Sequence, residues 1–214
     1  GVRPTYPHID AGASVKKLAL LILLMVSGMC RAQYSNHQLY QAYLNQDVSL
    51  WGEYIASAQW DSMSVEEQKQ LLNYEYGYTA VALGQDTVDA TAMLARYEQH
   101  LEALKSNLSE ARYNAYLTSV YTYKMALDKV HFMSHAKQLF ASIKRAADLD
   151  SEDAFVMAMM GNVEFYNPFG SKKKALKYLE KADSLYRLSA VEYEQWNHHA
   201  VRMTIEQCKE KLNK

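Results

Sequence analysis

Two triplets of apolar residues, Leu139-Ile143-Ala146 and Ala175-Leu179-Ala182, use the same intervals of four and three and lie 36 positions apart. Those intervals put three side chains on one face of a helix. Recurrence at a period of this size marks a chain made by stacking one helical unit on the next. Between the triplets, Met157, Met160 and Gly161 form the apolar face of another helix, and the glycine allows a second helix to approach its backbone. Only five Gly and one Pro occur from Gln33 to Lys214, so breakers are too few for anything but helices joined by short turns.

This pattern resembles the tetratricopeptide repeat, a helix-turn-helix unit of about 34 residues. Ala146 stands at the closing Ala, and Ser151 replaces the usual Pro that opens the next unit. Met157, Met160 and Gly161 fall on the tryptophan, leucine and glycine positions, and Ala175, Leu179 and Ala182 form the facing stripe. The turn Asn167-Pro168-Phe169-Gly170 takes up two extra residues. A fainter unit places Tyr76, Gly77 and Ala80 opposite Ala90, Leu94 and Tyr97, and a final half-unit offers Tyr193, Trp196 and Asn197. The polar segment Glu206 to Lys211 suits the solvated last helix that such an array needs. The resemblance implies an all-α fold, a right-handed superhelix of antiparallel helix pairs with about nine helices.

Helix starts are marked by caps. Ser35 with Gln38, Ser64 with Glu67 and Ser189 with Glu192 have capping-box spacing and predict helices opening near 36, 65 and 190. Asp86 is expected to cap the helix that carries Met93, Leu94, Tyr97 and Leu101. A helical pattern from Glu110 to about Val130 is followed by another to Leu149, with the join near His131 to Ser134.

Residues 1–32 read as upstream residues and a secretory signal peptide, and 33–214 as a single helical repeat domain. Lys16-Lys17 precedes an apolar run from Leu18 to Met29, then Cys30-Arg31-Ala32, with cleavage expected after Ala32. The run of 12 residues is short for a membrane span, which needs about 20, so no integral span is expected in the mature chain. Lipidation at Cys30 is the alternative, but Met29 before it fits that motif poorly. The mature protein is thus expected in the periplasm of a bacterium or secreted from it, with Cys208 as its one cysteine, buried and unpaired. From Gln33 on there are 19 basic and 23 acidic residues, a net charge of −4 that gives no electrostatic case for nucleic acid.

No phosphate loop, nucleophile elbow or paired-cysteine metal motif occurs. His131 and His135 are four apart, but no third ligand is placed by spacing, and the adjacent His198-His199 rings diverge by about 100° on a helix. Lys172-Lys173-Lys174 reads as a solvated helix start. No catalytic residue, cofactor or metal is therefore expected. The repeat resemblance implies a scaffold that binds a protein or peptide on its concave face. Counting from the glycine positions, that face takes Tyr74 and Tyr78, Ala158 and Asn162, and Glu194 and His198, with Lys124 and Asp128 from the unit between. The 17 Tyr fit either a core rim or a binding stripe. An envelope hydrolase assembled from scattered residues is the alternative.

Overall fold

The structure, a computed structural model, describes residues 34–189 and 191–213. The chain divides into Gly1–Ser35 and Asn36–Lys214, and the described helices all belong to the second unit. The signal peptide, its cleavage after Ala32 and Cys30 lie outside the described residues.

Nine α-helices and no strands occur among the described residues: α1 (Asn36–Leu44), α2 (Ser49–Ser57), α3 (Val65–Ala82), α4 (Ala90–Ala103), α5 (Glu110–Leu127), α6 (Phe132–Leu149), α7 (Ala154–Tyr166), α8 (Lys172–Leu188) and α9 (Gln195–Leu212). Short 3-10 turns at Trp60–Ser62 and Glu192–Glu194 precede α3 and α9. None of these helices is long and apolar enough to cross a membrane.

Caps set most of the starts. At Ser64 the full capping box forms, with the hydroxyl accepting from the Glu67 N–H and the Glu67 carboxylate accepting from the Ser64 N–H at 2.7 Å. Ser109, Asp153 and Ser171 cap α5, α7 and α8 with one half of that arrangement, each side chain accepting from the first turn. Two expectations need correction. Asp89, not Asp86, caps α4, because it stands three residues before the Ala92 N–H that it accepts. Ser189 does not open a helix near 190; its N–H instead closes α8 on the carbonyls of Leu185 and Tyr186, and α9 starts at Gln195.

Neighbouring helices pack as antiparallel pairs, α1 with α2, α3 with α4, α5 with α6 and α7 with α8, and α9 lies on α8. A second set of contacts runs α3 to α5 to α7 to α9, so these four form an inner layer and α4, α6 and α8 an outer one. The α7/α8 pair carries the stripes expected of it: Met157, Gly161, Ala175, Leu179 and Ala182 are all buried, the last three with no exposure. In the turn between them, the Asn167 side chain accepts from the Phe169 N–H, and a Cβ on Gly170 would come within 2.1 Å of the Glu164 carbonyl oxygen, so only glycine fits.

The early unit is built differently. Ala80 is exposed, and the space above Gly77 is occupied not by α4 but by the indole rings of Trp51 and Trp196. Those rings meet at 5.0 Å between centroids, and α9 also touches α1. The last helix therefore folds back against the first three, and the inner face around Trp196 is packed with aromatic side chains.

Candidate functional site: the inner cleft

Between α3, α7, α8 and α9 lies a cleft of about 30 Å³ lined by Tyr76, Phe155, Met159, Asn162, Tyr186, Trp196, Asn197 and Val201. Sequence periodicity explains the lining. Phe155, Met159 and Asn162 recur at helical spacing on α7, Tyr186 extends the Ala175-Leu179-Ala182 stripe by one more turn, and Trp196, Ala200 and Val201 share a face of α9. A volume of this size takes one or two waters or a group no bulkier.

The wall behind the cleft is charged. The guanidinium of Arg112, on α5, bonds both oxygens of Asp153 at 2.9 and 3.1 Å and also the Glu194 carboxylate. Burial works against charge on Arg112, but the two carboxylates outweigh it and hold the guanidinium firmly protonated. Glu194 does less well, because burial pushes its carboxyl up and Arg112, shared with Asp153, offsets that only in part. Its second oxygen has no partner, and neither does the Tyr186 hydroxyl or the Trp196 indole N–H. All three groups are buried, Glu194 at 1 % exposure, Tyr186 at 5 % and Trp196 at 7 %. Unpaired buried polar atoms cost about 1–3 kcal/mol each; the Tyr186 and Trp196 side chains belong to the cleft lining, and Glu194 lies behind it.

Aromatic residues continue from the cleft along α9 to α1. Tyr43 stacks on Trp51 at 5.8 Å and meets His199 edge-on at 5.6 Å, while Tyr40 touches the same imidazole at 6.4 Å. Partial burial, with Arg202 and His198 nearby, lowers the His199 pKa, so the ring is neutral at physiological pH. Burial pushes the Tyr76 phenol up to about 12, and Tyr166 and Tyr43 add to the shift. Tyr43 is likewise raised by burial, then by Tyr40 and Tyr166. Tyr166, at the end of α7, packs edge-on against Phe165 at 4.9 Å and is 70 % exposed.

The residues expected on the concave face are dispersed. Asn162 lines the cleft, Glu194 sits behind it on Arg112, and His198 stacks on Tyr186 at 5.3 Å and bonds Asp183 at 2.7 Å. Tyr74, 1 % exposed, is enclosed by Trp51 and Tyr54, and Tyr78 lies over Gly52 of α2. Lys124 pairs with Glu98, and Asp128 accepts from His131 and His135 at 2.8 and 3.0 Å. Asp128 is the partner that spacing did not supply for the two histidines, yet no cluster of three or more His, Cys, Asp or Glu that could hold a metal ion occurs among the described residues. In the lysine run, Lys172 donates to the Phe165 carbonyl and lies over that ring. Arg112, Asp153 and Tyr186 belong to no sequence motif; continuing the α8 stripe by four residues would reach Tyr186.

A second groove, of about 230 Å³, runs between α6 and α7, with Phe140, Ile143, Ala147, Met160 and Val163 as its apolar lining and Lys144, Asp148 and Glu164 at its rim.

No family model and no curated protein sequence matches this chain. Among solved structures it is similar to the HusA haemophore from Porphyromonas gingivalis, with a TM-score of 0.55 and 16% sequence identity over 76% of this chain and 92% of that one. The likeness is one of fold: an all-helical protein whose overall helix arrangement is shared with a bacterial haemophore.

Proposed function

We propose that this chain is a non-catalytic binding protein that takes a flat, largely apolar ring ligand of the haem class against the aromatic wall formed by α1, α7 and α9. The observation that carries the reading is the contact of the His199 ring with Tyr40 and Tyr43, and of Tyr43 with Trp196, beside exposed Tyr166 at the end of α7, which acts on the Tyr43 phenol. Aromatic faces supply stacking area for a planar ligand, and a neutral imidazole or a phenol is a suitable iron ligand. The fold likeness to a haemophore supports the same class. At about 30 Å³ the inner cleft is far too small for a porphyrin, so the ring would lie along the wall and not inside it. Export, expected from Lys16 to Ala32, suits a carrier that meets its cargo outside the cytoplasm.

Titration with haemin followed by absorbance tests this. A saturable shift of the Soret band is expected, weakened about tenfold or more, or roughly 1.4 kcal/mol, in His199→Ala or Tyr166→Phe. Absence of any shift with the wild-type chain would sink the proposal.

A tetratricopeptide-type scaffold for a protein or peptide is the second reading, and the α6/α7 groove favours it: Phe140, at 49 % exposure, leaves an apolar face open beside a charged rim. There Phe140→Asp would abolish capture of the partner from an envelope extract and leave haemin titration unchanged.

A further inference from the structure

We propose that the end of the molecule formed by the α7–α8 turn and the last turn of α9 docks on an anionic lipid surface, with the Phe169 ring entering the bilayer interface and Lys173, Lys174 and Lys211 meeting headgroup phosphates. Such docking needs no ring ligand at the aromatic wall. Phe169 is 97 % exposed, more than any other large apolar side chain among the described residues. Its turn is nevertheless well tied: the Asn167 side chain accepts from the Phe169 N–H at 3.0 Å, the Asn167 carbonyl from the Gly170 N–H at 2.9 Å, and the Glu164 carboxylate from the Ser171 N–H at 2.9 Å. The ring is thus held outward on an ordered turn, which lowers the entropy cost of burying it against something else.

Lysines gather at the same end. Lys172 of α8 and Lys211 of α9 lie over the Phe165 ring of α7 at 4.9 and 4.7 Å, so three helices converge there, and Leu212 beside them is 47 % exposed. Lys173 and Lys174 are exposed and have no ion-pair partner among the described residues. They stand in the first turn of α8, which holds no acidic residue and where the helix dipole disfavours cations. Of the carboxylates at this end, Glu164 is engaged by Ser171 and Glu206 pairs with Lys209 at 3.1 Å, which leaves Glu210 between Lys209 and Lys211. A chain that is net negative from Gln33 on is therefore locally positive around its barest aromatic ring.

That pairing selects a bilayer. A lone protruding ring needs a shaped pocket in a protein partner, whereas a lipid interface takes it without one. Lysine stems lie along apolar surface while their ammonium groups reach outward to phosphate. Each lysine near an anionic surface adds about fivefold in affinity. Neither the ring nor the charges would suffice singly, since stable attachment takes an apolar and a basic signal together.

The test places a reporter at the tip of the full chain. The indole introduced by Phe169→Trp, read as emission in excess of the wild-type chain, should shift to the blue and saturate with vesicles of phosphatidylglycerol and phosphatidylcholine in equal parts. Apparent affinity should fall about tenfold or more with phosphatidylcholine alone, at about 0.5 M salt, and when Lys173→Glu and Lys174→Glu are added to Phe169→Trp. All three side chains are exposed, so helicity by circular dichroism should not change. Attachment through the apolar run Leu18 to Met29 alone would leave the reporter unshifted, and that result overturns the proposal. Equal shifts with neutral and anionic vesicles, or with and without the charge reversals, would overturn it as well. If vesicles leave the emission unchanged while the wild-type chain, but not Phe169→Asp, dimerises in sedimentation, the tip is a contact between copies and not a lipid site.

Discussion

The side-chain amides of Asn73 and Asn197, 124 residues apart, are paired in both directions: Asn73 Nδ2 donates to Asn197 Oδ1 at 2.8 Å, and Asn197 Nδ2 returns a bond to Asn73 Oδ1 at 3.1 Å. Asn73 also donates to the Tyr193 carbonyl and accepts from the Tyr116 hydroxyl, so four segments of chain meet on one buried side chain. This knot holds α9 against α3 and so shapes the inner cleft. Either Asn73→Ala or Asn197→Ala should cost about 1–3 kcal/mol, because the surviving amide stays buried without its partner. Removing both should cost less than the sum of the two, by about 1 kcal/mol, in chemical denaturation. Additive losses would show that the pair contributes nothing as a pair.

That contact also explains what could be read from sequence. The α7/α8 unit was legible down to Gly161 and Leu179 because its partners lie within one repeat length, where periodicity relates one face directly to the next. Asn197 stands at a repeat's glycine position, and the count could say that it faces inward but not that it would meet Asn73. Periodicity identifies faces; it does not say which distant face closes upon them. For the same reason the count places Tyr74 and Glu194 on an open concave surface, whereas Trp51 and Tyr54 of α2 cover Tyr74 and Arg112 of α5 holds Glu194. Ser189 and Glu192 had capping spacing, but the Ser189 N–H was already committed to the end of α8.

Gly161 is a close-approach point of the α7/α8 interface. A Cβ there would stand 2.5 Å from Leu179 Cγ and 3.3 Å from the Leu179 backbone nitrogen, and Leu179 is wholly buried on the stripe of Ala175 and Ala182. Gly161→Ala normally gains helix propensity, by about 1 kcal/mol. Here overpacking, at about 1–3 kcal/mol, wins. The substitution should lower the melting temperature, and Leu179→Ala in the same chain should restore part of the loss relative to Leu179→Ala alone. A rise in melting temperature for Gly161→Ala would show that α8 can move away at little cost.

Asp128 should report on the α5–α6 turn as pH falls. Hydrogen bonds from His135 and His131 depress its carboxyl from the ordinary 3.8 to about 2. A depressed folded-state pKa means that these bonds support the fold at pH values above the ordinary one and are lost as pH falls through about 2. Carbon-13 detection of the Asp128 carboxyl should therefore give a midpoint near 2, and Asp128→Asn should remove the acid-induced change at His131 and His135. A midpoint at the ordinary value would mean that the two imidazoles do not engage it in solution.

Glu75 is the remaining buried charge whose loss has a definite sign. It has no exposed surface, and it accepts from Arg96 Nε at 2.8 Å and from His100 Nδ1 at 2.8 Å, while Trp60 lies flat on the His100 ring at 3.8 Å. The carboxylate therefore links α3 to α4 and fixes the 3-10 turn that leads into α3. Glu75→Ala would leave His100 buried without an acceptor and Arg96 with only the Ile55 carbonyl. Breaking a buried pair from one side costs about 3–5 kcal/mol. Because a third of the Arg96 side chain is exposed to water, about 2–4 kcal/mol is the better expectation. Glu75→Gln keeps an acceptor oxygen for one of the two donors and should cost less than Glu75→Ala. Urea unfolding followed by tryptophan fluorescence would measure both, since freeing His100 also unstacks Trp60 and shifts its emission. If Glu75→Ala unfolds within 0.5 kcal/mol of the wild-type chain, on the order of a typical surface substitution, the link from α3 to α4 does not depend on this carboxylate.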